Sequence, residues 1–195
     1  VQILEVLRII AKKNIIQEFQ EFYDYDIPKM FVSLLFSKQL QLQFGIVKFM
    51  TELGKSPEQG IFESIIRCSF IENLIESAKN CNQYEPYLYL VFNFFTKSFK
   101  NFEYVRTHLL NINSLDLMRN IISDQRLSKE TRKLPIQLIS ELSQFPSLSS
   151  IQKAQILDFM VNFFNKVRYD SFWNDFLTIA KLMVVNESTY MLVVG

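Results

Sequence analysis

One helical pattern recurs along this chain at intervals of 40 to 48 residues, and few folds accommodate such a period. The two clearest copies are Lys48-Phe-Met-Thr-Glu-Leu-Gly-Lys-Ser-Pro57 and Gln137-Leu-Ile-Ser-Glu-Leu-Ser-Gln-Phe-Pro146. Each reads polar, two apolar, hydroxyl, Glu, Leu, and each reaches a proline at its tenth position. Weaker copies lie at Glu5 to Ala11, Tyr89 to Phe95 and Leu177 to Met183. The apolar residue at the matching step is Ile10, Leu53, Phe94, Leu142 and Leu182, with gaps of 43, 41, 48 and 40 residues. A unit of this length cannot bury its apolar face alone, and stacked copies bury a continuous core. The pattern therefore implies a solenoid of helices, an architecture whose extended surfaces hold other proteins.

Composition supports a helical reading. The chain has 195 residues, 49% hydrophobic and 21% charged, enough apolar material for a large core. Only 4 Gly and 5 Pro are present, too few for the many tight turns of an all-β fold. Apolar spacing of the helical kind marks Val1 to Lys13, and Ile15 to Tyr23 reads as a short helix. Asp26 is the expected N-cap of the next, with Pro28 at its first position. Short, medium and long segments then recur. Pro28 to Ser37 and Gln39 to Gly54 come first, then Pro57 to Cys68, Ile71 to Lys79 and Tyr84 to Lys97. Phe102 to Leu110, Ser114 to Ser123 and Lys129 to Gln144 follow, then one fused or kinked stretch from Ser147 to Lys166 and a long segment from Asp170 to Val185. No Gly-, Ser- or Pro-rich linker interrupts them, so one continuous domain over 1–195 is expected. The chain starts at Val1 and ends in mid-pattern at Gly195, which reads as a fragment of a longer protein.

Three helices per unit of about 40 residues is the armadillo pattern, where two would be HEAT-like. The expected fold is an all-α, right-handed superhelical armadillo solenoid of about four repeats plus a flanking helix, with the third helices lining a concave face.

Several function classes find no support. The formal net charge is +1 and the basic residues are interleaved with acids, so no nucleic-acid groove is expected. The longest apolar runs, Ile27 to Phe36 and Tyr87 to Phe95, are too short to span a bilayer. Cys68 and Cys81 lack a paired-ligand spacing and read as free thiols of a reducing compartment. His108 is the single histidine, without a Cys, Asp or Glu cluster at metal spacing and without a nucleophile partner. No metal, no cofactor and no enzyme activity are expected.

Particular residues resemble one family. Leu7-Arg-Ile-Ile-Ala-Lys-Lys, Asp26-Ile-Pro-Lys-Met-Phe-Val-Ser-Leu-Leu35, Leu42-Gln-Phe44 and Thr51-Glu-Leu are similar, in order and spacing, to the first armadillo repeat of importin-alpha and the helix before it. Thr131-Arg132, the proline at 146 and Ile151 to Phe164 resemble a later repeat junction of that family. The resemblance implies an adaptor of the cytoplasm and nucleus that carries nuclear cargo. An extended nuclear-localisation-type peptide would lie on the concave face, and an importin-beta-type carrier would bind through a segment outside this chain.

The family's third helices carry a Trp and, four residues on, an Asn, which form slots for basic side chains and clamp the peptide backbone. By position the pairs here are Lys48 and Glu52, Tyr89 and Asn93, Gln137 and Glu141, and Leu177 and Lys181. Only Tyr89 with Asn93 keeps the chemistry, since Tyr can stack on a cationic stem and Asn can bond a backbone. Glu52 and Glu141 could accept basic side chains, whereas Lys48 would repel them. Lys97 stands where the family has an acid. A second reading therefore stays open, in which the chain is an armadillo or HEAT-like scaffold subunit of a larger assembly that no longer reads basic peptides.

Overall fold

The structure is a computed structural model that describes residues 2, 5, 7, 9, 26–55, 60–145, 148–164 and 173–184. Every regular element among them is helical, so the described chain is all-α. Two compact units divide it, Val1–His108 and Leu109–Gly195.

The first unit holds α1 (Ile27–Leu34), α2 (Leu40–Leu53), α3 (Gly60–Arg67), α4 (Phe70–Asn80) and α5 (Glu85–Ser98), and it reaches into α6 (Glu103–Leu109). The helical residues Gln2, Glu5, Leu7 and Ile9 also belong to it. The longest helices, α2 and α5, are those expected at Gln39 to Gly54 and Tyr84 to Lys97. They pack along one another, while α1 packs on α3 and α4. On α2, Ile46, Val47, Phe49, Met50 and Leu53 are buried, and on α5, Leu88, Val91, Phe92, Phe94 and Phe95. Leu53 and Phe94, two steps of the repeat, are fully enclosed. Burying a side chain of this size contributes about 1.5–3 kcal/mol. Phenylalanines tie the layers together: Phe62 stacks on Phe102 at 4.2 Å, and Phe70 meets Phe94 edge-on at 5.7 Å.

Polar groups inside this unit join helices as well. Ser77 Oγ donates to the Leu35 carbonyl at 3.0 Å, which uses its only proton. The Tyr87 hydroxyl, 2.9 Å away, is therefore the donor to Ser77. One buried serine thus links α4 to the end of α1 and to α5. At the end of α2, Gly54 lets the chain approach closely. A Cβ there would sit 3.0 Å from Ser98 Cβ, 3.1 Å from the Phe62 ring and 3.3 Å from the Met50 carbonyl. Asn101 Nδ2 then donates to the Gly54 carbonyl at 3.0 Å.

The second unit contains α7 (Ile112–Ser123), α8 (Lys129–Ser143), α9 (Ser150–Phe164) and α10 (Trp173–Val184). Helix α8 packs against the other three, and α9 packs against α10. Leu142, a third step of the repeat, is fully buried with Ile139 and Leu138. Three helix starts are capped by local side-chain motifs. Asn111 accepts from the Ser114 N–H, Ser128 accepts from the Thr131 N–H, and Ser149 and Gln152 bond reciprocally at 3.0 and 3.2 Å. Arg132 is buried. Its Nε donates to the Ile122 carbonyl at 2.7 Å, placing a cation at the C-terminal end of α7, where the helix dipole favours it.

Some local expectations change. Asp26 precedes α1 as expected, but its side chain makes no capping bond. Its backbone is left-handed, with φ 50°, and its carboxylate reaches Lys29 at 3.1 Å instead. Pro28 lies one residue inside the helix. The stretch expected from Ser147 to Lys166 is a single helix over Ser150–Phe164. Cys68 and Cys81 are half-buried and free. Ile10 and the helix expected over Ile15 to Tyr23 lie outside the described residues, as do Pro57 and the proline at 146. Among the described residues, no helix is long and apolar enough to cross a membrane.

Candidate functional site

The packing of α2 along α5 turns two sequence pairs into one site. On α2 the exposed row opposite the buried face carries Gln41, Lys48 and, less openly, Glu52. On α5 it carries Tyr89, Asn93 and Lys97, four residues apart and so on one face. Three adjoining hollows of about 560, 310 and 270 Å³ lie along the seam. Lys48 lines all three, and Asn93 and Leu90 line two. Tyr89 and Pro86 wall the third hollow with Phe44, whose ring also meets Tyr84 at 5.8 Å and Tyr87 at 5.6 Å. The structure therefore brings Lys48, Glu52, Tyr89 and Asn93 together in one groove of the first unit.

The charges in that groove are not equivalent. Glu52 Oε2 takes a 2.6 Å ion pair from Lys55, and the Glu52 side chain is only 14% exposed. Its carboxylate is thus already neutralised by Lys55, two residues past the end of its helix. Glu5, on the walls of two hollows, has an interaction of its own. Lys48 is exposed and has no ion-pair partner among the described residues. Tyr89 is 51% exposed, well above what a core aromatic shows. The arrangement offers an aromatic face, an amide able to bond a peptide group in both senses, and one unneutralised ammonium.

The other expected pair lies in the second unit. Gln137 and Glu141 line a hollow of about 390 Å³ between α8 and α10, with Lys133, Ile136, Ser140 and Thr178. Among the described residues, no aromatic ring lines it. Gln137 is exposed and Glu141 half-buried, and both Glu141 and Lys133 have interactions of their own. The fourth pair, Leu177 and Lys181, sits on α10 at a half-buried and an exposed position.

Sequence reasoning missed one polar cluster. His108 Nδ1 lies 2.9 Å from the Tyr104 carbonyl, which can only accept, so this nitrogen carries a hydrogen. His108 Nε2 lies 2.9 Å from Glu72 Oε1, and the Tyr104 ring stacks on the imidazole at 3.9 Å. The contact fastens α4 to α6. The partners are 36 positions apart, and no local spacing marks them.

Comparison with known protein families, curated proteins and solved structures found no match to this chain.

Proposed function

We propose that this chain is a protein-binding module of the armadillo kind, holding an extended segment of another polypeptide along the groove between α2 and α5. The observation that carries the reading is the meeting of Lys48 and Glu52 with Tyr89 and Asn93 on one seam. Asn93 would bond the segment's backbone and Tyr89 would pack on a side chain, as the resemblance to importin-alpha implies. The side-by-side long helices and the enclosure of Leu53, Phe94 and Leu142 support a stack of repeated units.

The reading has two specific forms. In one, the chain is an importin-alpha-like adaptor for nuclear import, and the segment is a basic localisation peptide. In the other, it is a scaffold subunit that holds a fixed partner. Lys48 favours the second, because basic side chains in the groove would lie beside an unneutralised ammonium while Glu52 is occupied by Lys55. Fluorescence anisotropy with labelled peptides checks both. Tyr89→Ala with Asn93→Ala should weaken any groove-bound peptide about tenfold or more, since each removed contact is worth about 1 kcal/mol. Peptide binding that survives this double substitution would place the site elsewhere. A basic localisation peptide that binds in a salt-sensitive, Tyr89-dependent way would restore the import form.

A further inference from the structure

We infer that the α2/α5 groove takes an acidic segment, with a carboxylate seated at Lys48; the inference rests on the groove reading above and gives it a partner chemistry. The argument is one of charge complementarity. Lys48 stands on the walls of all three hollows of the seam. The carboxylate nearest along its own helix, Glu52, is paired to Lys55 at 2.6 Å and largely covered. Glu5, on the walls of two of the hollows, has an interaction of its own and is not paired with Lys48. What the seam offers an incoming chain is therefore a cation without a counter-ion among the described residues. A second cation extends the row. Lys97 is exposed on α5, one turn beyond Asn93, and has no ion-pair partner among the described residues. One helical turn is roughly 5–6 Å, the span of about two residues of extended chain. A carboxylate of an extended peptide would meet Lys48 beside Asn93, which bonds the backbone, and a carboxylate about two residues beyond the group that Asn93 holds would meet Lys97. The aromatic wall of Phe44, Pro86 and Tyr89 would take an apolar or proline residue at the end of such a segment.

The partner is thus an acidic, extended polypeptide, the opposite sign to a nuclear-localisation sequence. Three labelled peptides of one length test it with residues 1–195: one with Glu at alternate positions, one with Lys there, and one with Ser there. The expected result is preferential binding of the Glu peptide, weakened as salt is raised. Lys48→Met should reduce that binding about tenfold, the scale of a charge-assisted contact. Lys48→Glu should abolish it and raise affinity for the Lys peptide. Lys48 is exposed, so neither variant disturbs packing, and an unchanged helical circular-dichroism signal checks this. Preference for the Lys peptide, or equal binding of all three, would overturn the acidic assignment and leave the groove reading intact. Failure of all three to bind would overturn both.

Discussion

Helices α2 and α8 carry the two best copies of one ten-residue pattern, yet the hollows they line differ in kind. Their apolar positions behave alike: Leu53 and Leu142 are both fully buried. Their polar positions diverge. Lys48 on α2 faces an aromatic wall and an amide from α5, whereas Gln137 on α8 faces Thr178 across a hollow that no ring lines among the described residues. Glu52 is neutralised by Lys55 three residues on, and the equivalent position after Glu141 is Gln144, which bonds the Ser140 carbonyl instead. Packing leaves little freedom to the apolar half of the repeat. The groove half faces solvent, where a substitution costs little unless a ligand is read.

The largest effects should test the shared half. Leu53→Ala and Leu142→Ala should each destabilise their own unit by about 2–5 kcal/mol, the range for a truncated and fully buried leucine. Hydrogen exchange read separately for the two units reports each without assuming a single cooperative transition. A cost below about 1 kcal/mol at Leu142 would mean that the two copies are alike in letters only.

A smaller effect should separate the copies at the next residue. Gly54 in the first unit matches Ser143 in the second. Gly54→Ser introduces a Cβ 3.0 Å from Ser98 Cβ and 3.1 Å from the Phe62 ring, both in the packed interior. Overpacking of this sort costs about 1–3 kcal/mol. Ser143→Gly loses a 2.7 Å bond to the Ser140 carbonyl and gains backbone freedom at a helix end, a cost of about 1 kcal/mol or less. Equal losses at the two sites, measured by the same exchange experiment, would show that α2 has no special closeness to its neighbours.

Much of this was legible in the letters. The 3.6-residue spacing located the described helices to within a few residues, because each must bury one face. Asn111, Ser128 and Ser149 with Gln152 are caps of local chemistry that the sequence reading did not name. The pairing of Tyr89 with Lys48 was reachable through the repeat, since matched positions on matched helices share a seam. The pairing of Glu52 with Lys55 is also local, at i and i+3, and it decides the charge of the groove. Ser77 between Leu35 and Tyr87, and Glu72 beside His108, were not legible. Those contacts join helices through side chains whose identities carry no period. Asp26 illustrates the opposite failure, where the residue type suited a cap but its left-handed backbone and the pull of Lys29 took the carboxylate elsewhere.

The smallest expected effects set the units apart by pH, in opposite directions. Burial pushes the Tyr87 phenol up to about 12, and the bond that its hydroxyl donates to Ser77 also favours the neutral phenol. A raised value means that the fold favours the neutral phenol. Its contribution is complete below about 10, the ordinary value, and is lost as pH rises through about 12. Tyr87→Phe should cost about 0.5–1.5 kcal/mol at neutral pH and flatten this alkaline loss in the first unit, because Ser77 keeps its Leu35 bond. In the second unit, Arg126 holds the Asp124 carboxyl down to about 2 through side-chain and backbone hydrogen bonds. A lowered value means that the fold favours the charged carboxylate. Its contribution is present above the ordinary 3.8 and lost as pH falls through about 2. Arg126 is exposed and the pair is screened by solvent, so Asp124→Asn should shift the acid limb only slightly. Exchange measured across both limbs should therefore show the first unit yielding to base through Tyr87 and the second to acid through Asp124. If Tyr87→Phe left the alkaline limb of the first unit unchanged, ionisation of the buried Tyr87 phenol would not be what sets that limb.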